Sequence, residues 1–222
     1  MEHKYDKLLK ATIWIYVITL IGAFVYNFQI KNMQGVGMSV VAMLTPWIVP
    51  ISFKVLKLKA TNEVYILNVV FVYFASLIGS CLGGYTVPFF DKIVHFFSGI
   101  LMSVGAMMMF SWIKQEEKIK DPKDVCILYL FINAANLAVA ALWEFYEYFM
   151  LIFFNNDCIN HYTTGVHDSI TDMLCAFVGG LLITYLVFRY YKMGKKGFFI
   201  ELHQNFYKHN NKNGENIEKG FN

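Results

Sequence analysis

Charge is scarce in this chain of 222 residues: 16% are Asp, Glu, Lys or Arg, against 57% hydrophobic and 18% aromatic. That balance excludes an ordinary soluble domain. Arginine is all but absent, with Arg189 alone, so a phosphate clamp built from several guanidinium groups is excluded. The four cysteines, Cys81, Cys126, Cys158 and Cys175, form no CxxC pair, which argues against a zinc ribbon or a dithiol redox centre. All but Cys158 fall in apolar segments, where a cysteine is most often a small packing residue. The chain has no HExxH, no GxSxG and no glycine-rich phosphate loop. It also lacks a basic run interleaved with aromatics, so nucleic acid is not an expected partner.

What the sequence does have is long apolar runs. A membrane-spanning helix needs about 20 apolar residues to cross roughly 30 Å of hydrocarbon. Six such runs are found, near residues 8–30, 36–53, 64–84, 93–113, 125–149 and 169–191. The expected fold is therefore all-α, a polytopic bundle of six transmembrane helices in the lipid bilayer of a cell membrane, plasma or inner. Pro46 and Pro50 lie inside the second run and predict a kinked helix that neighbouring helices must support. No small-residue cleavage site follows the first run, which reads as an anchor.

Orientation follows from the lysines, because cytoplasmic loops retain Lys and Arg. With six crossings, all but Lys31 and Lys92 of the 19 basic residues fall on one side. Both termini are then cytoplasmic, and the loops after the first, third and fifth spans face outward. Residues 1–196 read as one transmembrane domain. Residues 197–222 read as a cytoplasmic tail, disordered apart from an apolar patch at Phe198 to Leu202 that lies against the membrane surface.

The candidate site lies around the outer loop that follows the fifth span. Asp91 and His95 open the fourth span, Glu144 and Glu147 close the fifth, and His167, Asp168 and Asp172 open the sixth. The spacings 91/95, 144/147 and 168/172 put each pair on one helix face. On the fifth span the same face continues inward through Ala140, Asn136 and Asn133, a polar stripe that should face the bundle interior. Below the acids stand Ser98, Gly99 and Met102 on the fourth span and Cys175, Ala176 and Gly179 on the sixth, small residues suited to close helix packing. Ordinary readings exist for single residues: Asp91 and Asp168 suit helix N-caps, and Trp143, Tyr146 and Tyr148 suit an interfacial aromatic belt. Thr163 and Thr164 suit turn chemistry. Three pairs of acidic or imidazole groups at one depth point instead to a functional cluster.

Five carboxylates at one place need relief of their charge by protonation, by a bound metal or by a cationic ligand. Carboxylate oxygens with one or two imidazoles suit a divalent ion such as zinc, manganese, magnesium or iron. In that reading Asp91, His95, Glu147, His167 and Asp168 are ligands, and Glu144 and Asp172 are the catalytic carboxylates. His161 and Asp157, in the outer loop, are weaker candidates.

Three segments carry a family resemblance: Asp91-Lys92-Ile93-Val94-His95, Trp143-Glu144-Phe145-Tyr146-Glu147, and Asp168-Ser169-Ile170-Thr171-Asp172-Met173. In this order the chain resembles the YjdF-like group of bacterial multi-pass inner-membrane proteins, and its first segment is also similar to VanZ-like membrane proteins. The resemblance implies a membrane topology and a place for the site, and brings no reaction with it.

Three functions fit these residues. The first is a metal-assisted or acid–base hydrolase or transferase acting on a lipid or envelope precursor. The second is a proton- or cation-coupled transporter, and the third is a scaffold whose polar cluster only joins helices.

Overall fold

The computed structural model describes residues 5–211. All regular structure among them is helical: α1 (Asp6–Gln29), α2 (Met33–Leu44), α3 (Ile48–Val55), α4 (Asn62–Val72), α5 (Phe90–Lys114), α6 (Pro122–Phe154), α7 (Val166–Met193) and α8 (Phe198–Asn211). A 3₁₀ turn, Thr45–Trp47, joins α2 to α3, and α4 runs on as a π-helical stretch, Tyr73–Cys81. Taken through these joints, six helices are long and apolar enough to cross a membrane: Asp6–Gln29, Met33–Val55, Asn62–Cys81, Phe90–Lys114, Pro122–Phe154 and Val166–Met193. This is a multi-pass, all-α membrane protein. The described residues gather into two compact units, one running up to Phe90 and resuming at Gln204, the other Asp91–His203.

In the first unit the expected kink is present, and its chemistry is complete. Proline has no N–H, so Pro46 leaves the carbonyl of Ala42 without its helical donor, and Pro50 does the same to the carbonyl of Pro46. No water reaches hydrocarbon to replace those donors. The Tyr16 hydroxyl donates to Ala42 O at 2.6 Å and Thr45 Oγ1 to the same oxygen at 3.2 Å. Asn68 Nδ2 donates to Pro46 O at 2.8 Å. Side chains from α1 and α4 thus replace the bonds that two prolines remove.

A second polar knot holds the same unit. Asn27, buried on α1, donates through Nδ2 to Ala23 O and Cys81 O and accepts from Asn32 Nδ2. Ser39 donates to Gly35 O, and its Oγ lies 3.0 Å from Cys81 Sγ. Cys81 is therefore a buried packing residue, as its apolar setting suggests; all four cysteines are free thiols.

The second unit is built on α5, α6 and α7. Asp121 caps α6 by accepting from Lys123 N at 2.8 Å, and Pro122 begins the helix where a missing N–H costs nothing. At 33 residues α6 is about 50 Å long, well beyond the hydrocarbon thickness. It ends at Asn155 in the left-handed conformation, φ 50°. Gly165, φ 61°, turns the chain into α7, and Gly194, φ 68°, ends that helix in the left-handed conformation glycine tolerates best. Where α5 and α7 cross, a Cβ on Gly99 would collide with the carbonyl oxygen of Ala176, and one on Gly179 with that of Phe96.

The expected disorder beyond residue 197 gives way, over Phe198–Asn211, to a helix. Leu202, His203 and Phe206 recur at helical spacing and are all buried, an amphipathic pattern that the Asn- and Lys-rich composition hides. Residues 212–222 of that tail lie outside the described residues. Within the first unit, the Phe206 ring meets Phe53 edge-on at 5.6 Å. Asn210 pairs with the Lys59 backbone through both amide atoms, at 2.7 and 2.9 Å. Within the second unit, His203 Nε2 lies 2.8 Å from Ser111 Oγ.

Two outcomes follow from these contacts. Tyr16→Phe and Asn68→Leu should each destabilise the protein by about 1 kcal/mol, read as earlier thermal unfolding in detergent, because each leaves a proline-orphaned carbonyl short of a donor. His203 lies outside the spans, and burial pushes its imidazole down to about 4. The unfolded chain takes up this proton near pH 6.5, the folded chain only near 4, so the stability is present above 6.5 and declines as pH falls through that window. The full loss is on the order of 3 kcal/mol. Melting temperature between pH 7 and 4.5 should fall more steeply for the wild type than for His203→Asn.

Candidate functional site

Helix starts in the second unit place the aspartates and His95, whereas Glu144 and Glu147 lie two to three turns before the end of α6. Asp91 stands in the first turn of α5 and Asp168 in the first turn of α7. Both are therefore inside their helices rather than at the capping position, which in α7 belongs to Gly165. Negative charge is favoured in a first turn by the helix dipole. His95 and Asp172, one turn further in, sit immediately before the crossing at Gly99 and Ala176. Because the two backbones touch there, side chains one turn above must meet: His95 Nε2 is 3.4 Å from Asp91 Oδ1 and 3.9 Å from Asp172 Oδ1. Asp172 is 1% exposed and His95 7%.

Lys92 is the residue that sequence reasoning undervalued. Its ammonium Nζ stands 2.6 Å from Asp168 Oδ1, 2.7 Å from Asp172 Oδ1 and 3.4 Å from Asp91 Oδ2. Charge relief by proton, metal or ligand was the expectation; the chain also supplies a cation of its own. The available signal was the adjacency of Lys92 to Asp91 at the start of a span, on a side with one other lysine. Asn160, in the loop before α7, was missed as well. Its Nδ2 donates to Asp168 Oδ2 at 2.6 Å, so both Asp168 oxygens are engaged.

The Lys92–Asp172 pair is an ion pair without hydrogen-bond geometry, and neither Asp172 oxygen has a hydrogen-bond partner among the described residues. Glu144 is more isolated. It is 5% exposed, and neither carboxylate oxygen has a hydrogen-bond partner among the described residues. Glu147, half-buried one turn on, accepts from the indole Nε1 of Trp143 at 2.8 Å through Oε1.

Some expected members stand elsewhere. His167 is exposed at the start of α7, outside the group whose atoms converge. Its neighbour Asp168 takes the inward face, and consecutive helical residues point about 100° apart. His161 is exposed too, and Asp157 accepts from the backbone N–H groups of His161 and Tyr162, at 2.7 and 3.0 Å. The hydroxyls of Thr163 and Thr164 donate to Asn160 O at 3.1 and 3.4 Å, which is turn chemistry. One ligand atom each from Asp91, His95 and Asp172 lies within 4.8 Å of the others.

Beneath the cluster the polar stripe of α6 is engaged with α7. Asn136 Nδ2 donates to Ala176 O and Asn133 Nδ2 to Thr184 Oγ1, both at 2.7 Å. The sequence places these amides toward the bundle interior, and they help to hold α6 on α7.

A profile of the family described as Predicted membrane protein (DUF2238) matches residues 9–193, and the chain belongs to that family. The description gives a membrane location and no activity. Neither a curated protein nor a solved structure matches the chain.

The crossing carries a direct test. Gly99→Ala and Gly179→Ala should force α5 from α7, lower the melting temperature and loosen the Asp91–His95–Asp172 group. Gly105→Ala, on α5 with nothing within 4 Å of its Cβ, should leave both unchanged.

Proposed function

We propose that the chain is a membrane-embedded hydrolase or transferase whose centre is a divalent metal site of Asp91, His95 and Asp172, acting on a lipid or envelope precursor at the extracytoplasmic surface. The observation that carries this reading is the convergence of two carboxylate oxygens and one imidazole nitrogen within 4.8 Å, where Asp172, at 1% exposure, has the Lys92 ammonium 2.7 Å from Oδ1. Two oxygens and a nitrogen suit zinc, manganese or iron, and three protein ligands leave positions for water or substrate. The lysine asymmetry puts this end outside. Two of the three segments that resemble YjdF-like proteins, Asp91–His95 and Asp168–Met173, contribute the residues that converge.

A divalent ion there would polarise a scissile group and lower the pKa of its water. The rest is done by the chain. Glu144, buried near the cluster with the Ser169 side chain beside it, is placed to hold or accept the proton that such a reaction moves. Lys92 and an incoming cation compete for Asp172. Asp168 and Asn160, bonded to each other, keep a place for the ammonium when it yields. Of the ligands the sequence suggests, His167, Glu147 and Asp168 have no such role in this reading, and Asp172, there a catalytic carboxylate, becomes a ligand.

Purified protein in detergent, dialysed against zinc or manganese, should retain about one equivalent of ion by elemental analysis. Asp172→Asn and His95→Gln should lose it. Lys92→Met should bind roughly ten-fold more tightly, since it removes a competing charge. Wild-type protein that retains no ion, or folded variants that retain as much as wild type, would refute the metal centre.

A further inference from the structure

The sign of the site's charge identifies the class of molecule it can take. Five carboxylates, Asp91, Glu144, Glu147, Asp168 and Asp172, share one region of the second unit with one lysine and one histidine. Lys92 is committed to the three aspartates and forms no ion pair with either glutamate. Carboxyl groups near hydrocarbon that no lysine reaches favour a cation over an anionic headgroup.

The uncommitted acids lie beside an aromatic surface. Trp143, Tyr146 and Glu147 occupy positions i, i+3 and i+4 of α6 and so share a face. The Trp143 and Tyr146 rings are 5.2 Å apart, inclined at 47°, and each residue is 50% exposed. The Trp143 N–H donates to Glu147 Oε1, which fixes indole and carboxylate side by side. Aromatic faces next to a carboxylate form a receptor for ammonium groups. Within the same turn Glu144 is 5% exposed, and its oxygens have no hydrogen-bond partner among the described residues.

Position selects the source of the ammonium. Glu144 lies 22 residues beyond Pro122, about 33 Å along α6, which is headgroup depth for a helix that starts near the opposite surface. Leu142 and Phe145 flank the patch at 63% and 67% exposure, an apolar border facing lipid. A ligand reaching Trp143 therefore arrives sideways from the bilayer.

We propose that Trp143, Tyr146 and Glu147, with Glu144 behind them, form a recognition site for the ammonium headgroup of a membrane lipid, and that such a lipid is the substrate class of the neighbouring centre. The second half of this statement rests on the enzymatic reading above; the first half does not. The ammonium lies against the two rings and Glu147. The headgroup linkage then extends toward His95 and Asp172.

Native mass spectrometry of the full chain, released from nanodiscs containing equal parts phosphatidylethanolamine and phosphatidylglycerol, tests the site. Phosphatidylethanolamine should be retained roughly ten-fold over phosphatidylglycerol, and Glu147→Gln or Trp143→Leu should bring the ratio to about one. Chelation of divalent ions should not change it, so failure of the metal reading would appear as an absent ion with the lipid preference intact. Equal or greater retention of phosphatidylglycerol, or a preference that survives both substitutions in folded protein, overturns the inference. Displacement of the lipid by free ethanolamine at matched concentration overturns its lipid source.

Discussion

The candidate site depends on the contact between the backbones of α5 and α7. Gly99 and Gly179 leave no side chain between the helices, so the carbonyls of Ala176 and Phe96 fill the space a Cβ would need. That approach is what makes His95 and Asp172 neighbours, one turn from the crossing. A larger residue at either glycine would separate the helices by about the width of a methyl group, and charged groups now within 4 Å would no longer act on one another. Small residues below the acids and the convergence of the acids are one structural fact.

The same closeness makes the charge problem acute. Lys92 meets three aspartates, and Asn160 completes the coordination of Asp168. The glutamates of α6 receive nothing from that lysine. The cluster is thus divided into a half that shares the Lys92 ammonium and a half, Glu144 and Glu147, that no lysine reaches and that borders an exposed aromatic surface. A scaffold held by polar contacts needs only the first half, since each interhelical contact contributes about 0.6 to 2 kcal/mol and a buried carboxyl that no cation reaches works against association. Glu144 is the residue that favours a site over a scaffold.

The first unit handles polar groups in hydrocarbon in the opposite manner. There the orphan carbonyls created by Pro46 and Pro50 all receive donors, from Tyr16, Thr45 and Asn68. Asn27, Ser39 and Cys81 likewise satisfy one another. Where this protein needs stability its buried polar groups are paired. In the second unit, by contrast, Glu144 and Glu147 are buried or half-buried with no cation paired to them.

Much of this was legible in the amino-acid order. Apolar run length determines six spans, because roughly 30 Å of hydrocarbon demands it, and proline determines the kink, because it has no N–H to give. Helical spacing determines that Asp91 shares a face with His95 and Asp168 with Asp172. The tail misled, since His203, Gln204 and Asn205 between Leu202 and Phe206 mask a buried stripe that forms only once helix is assumed. Tertiary structure alone decided which way each side chain turns at a helix end: Asp168 inward and His167 outward, Lys92 among the aspartates and out of the water. Depth in a membrane follows from counting residues, whereas the rotation of one helix against another follows from which residues are small enough to touch, and only the packed structure reveals that choice.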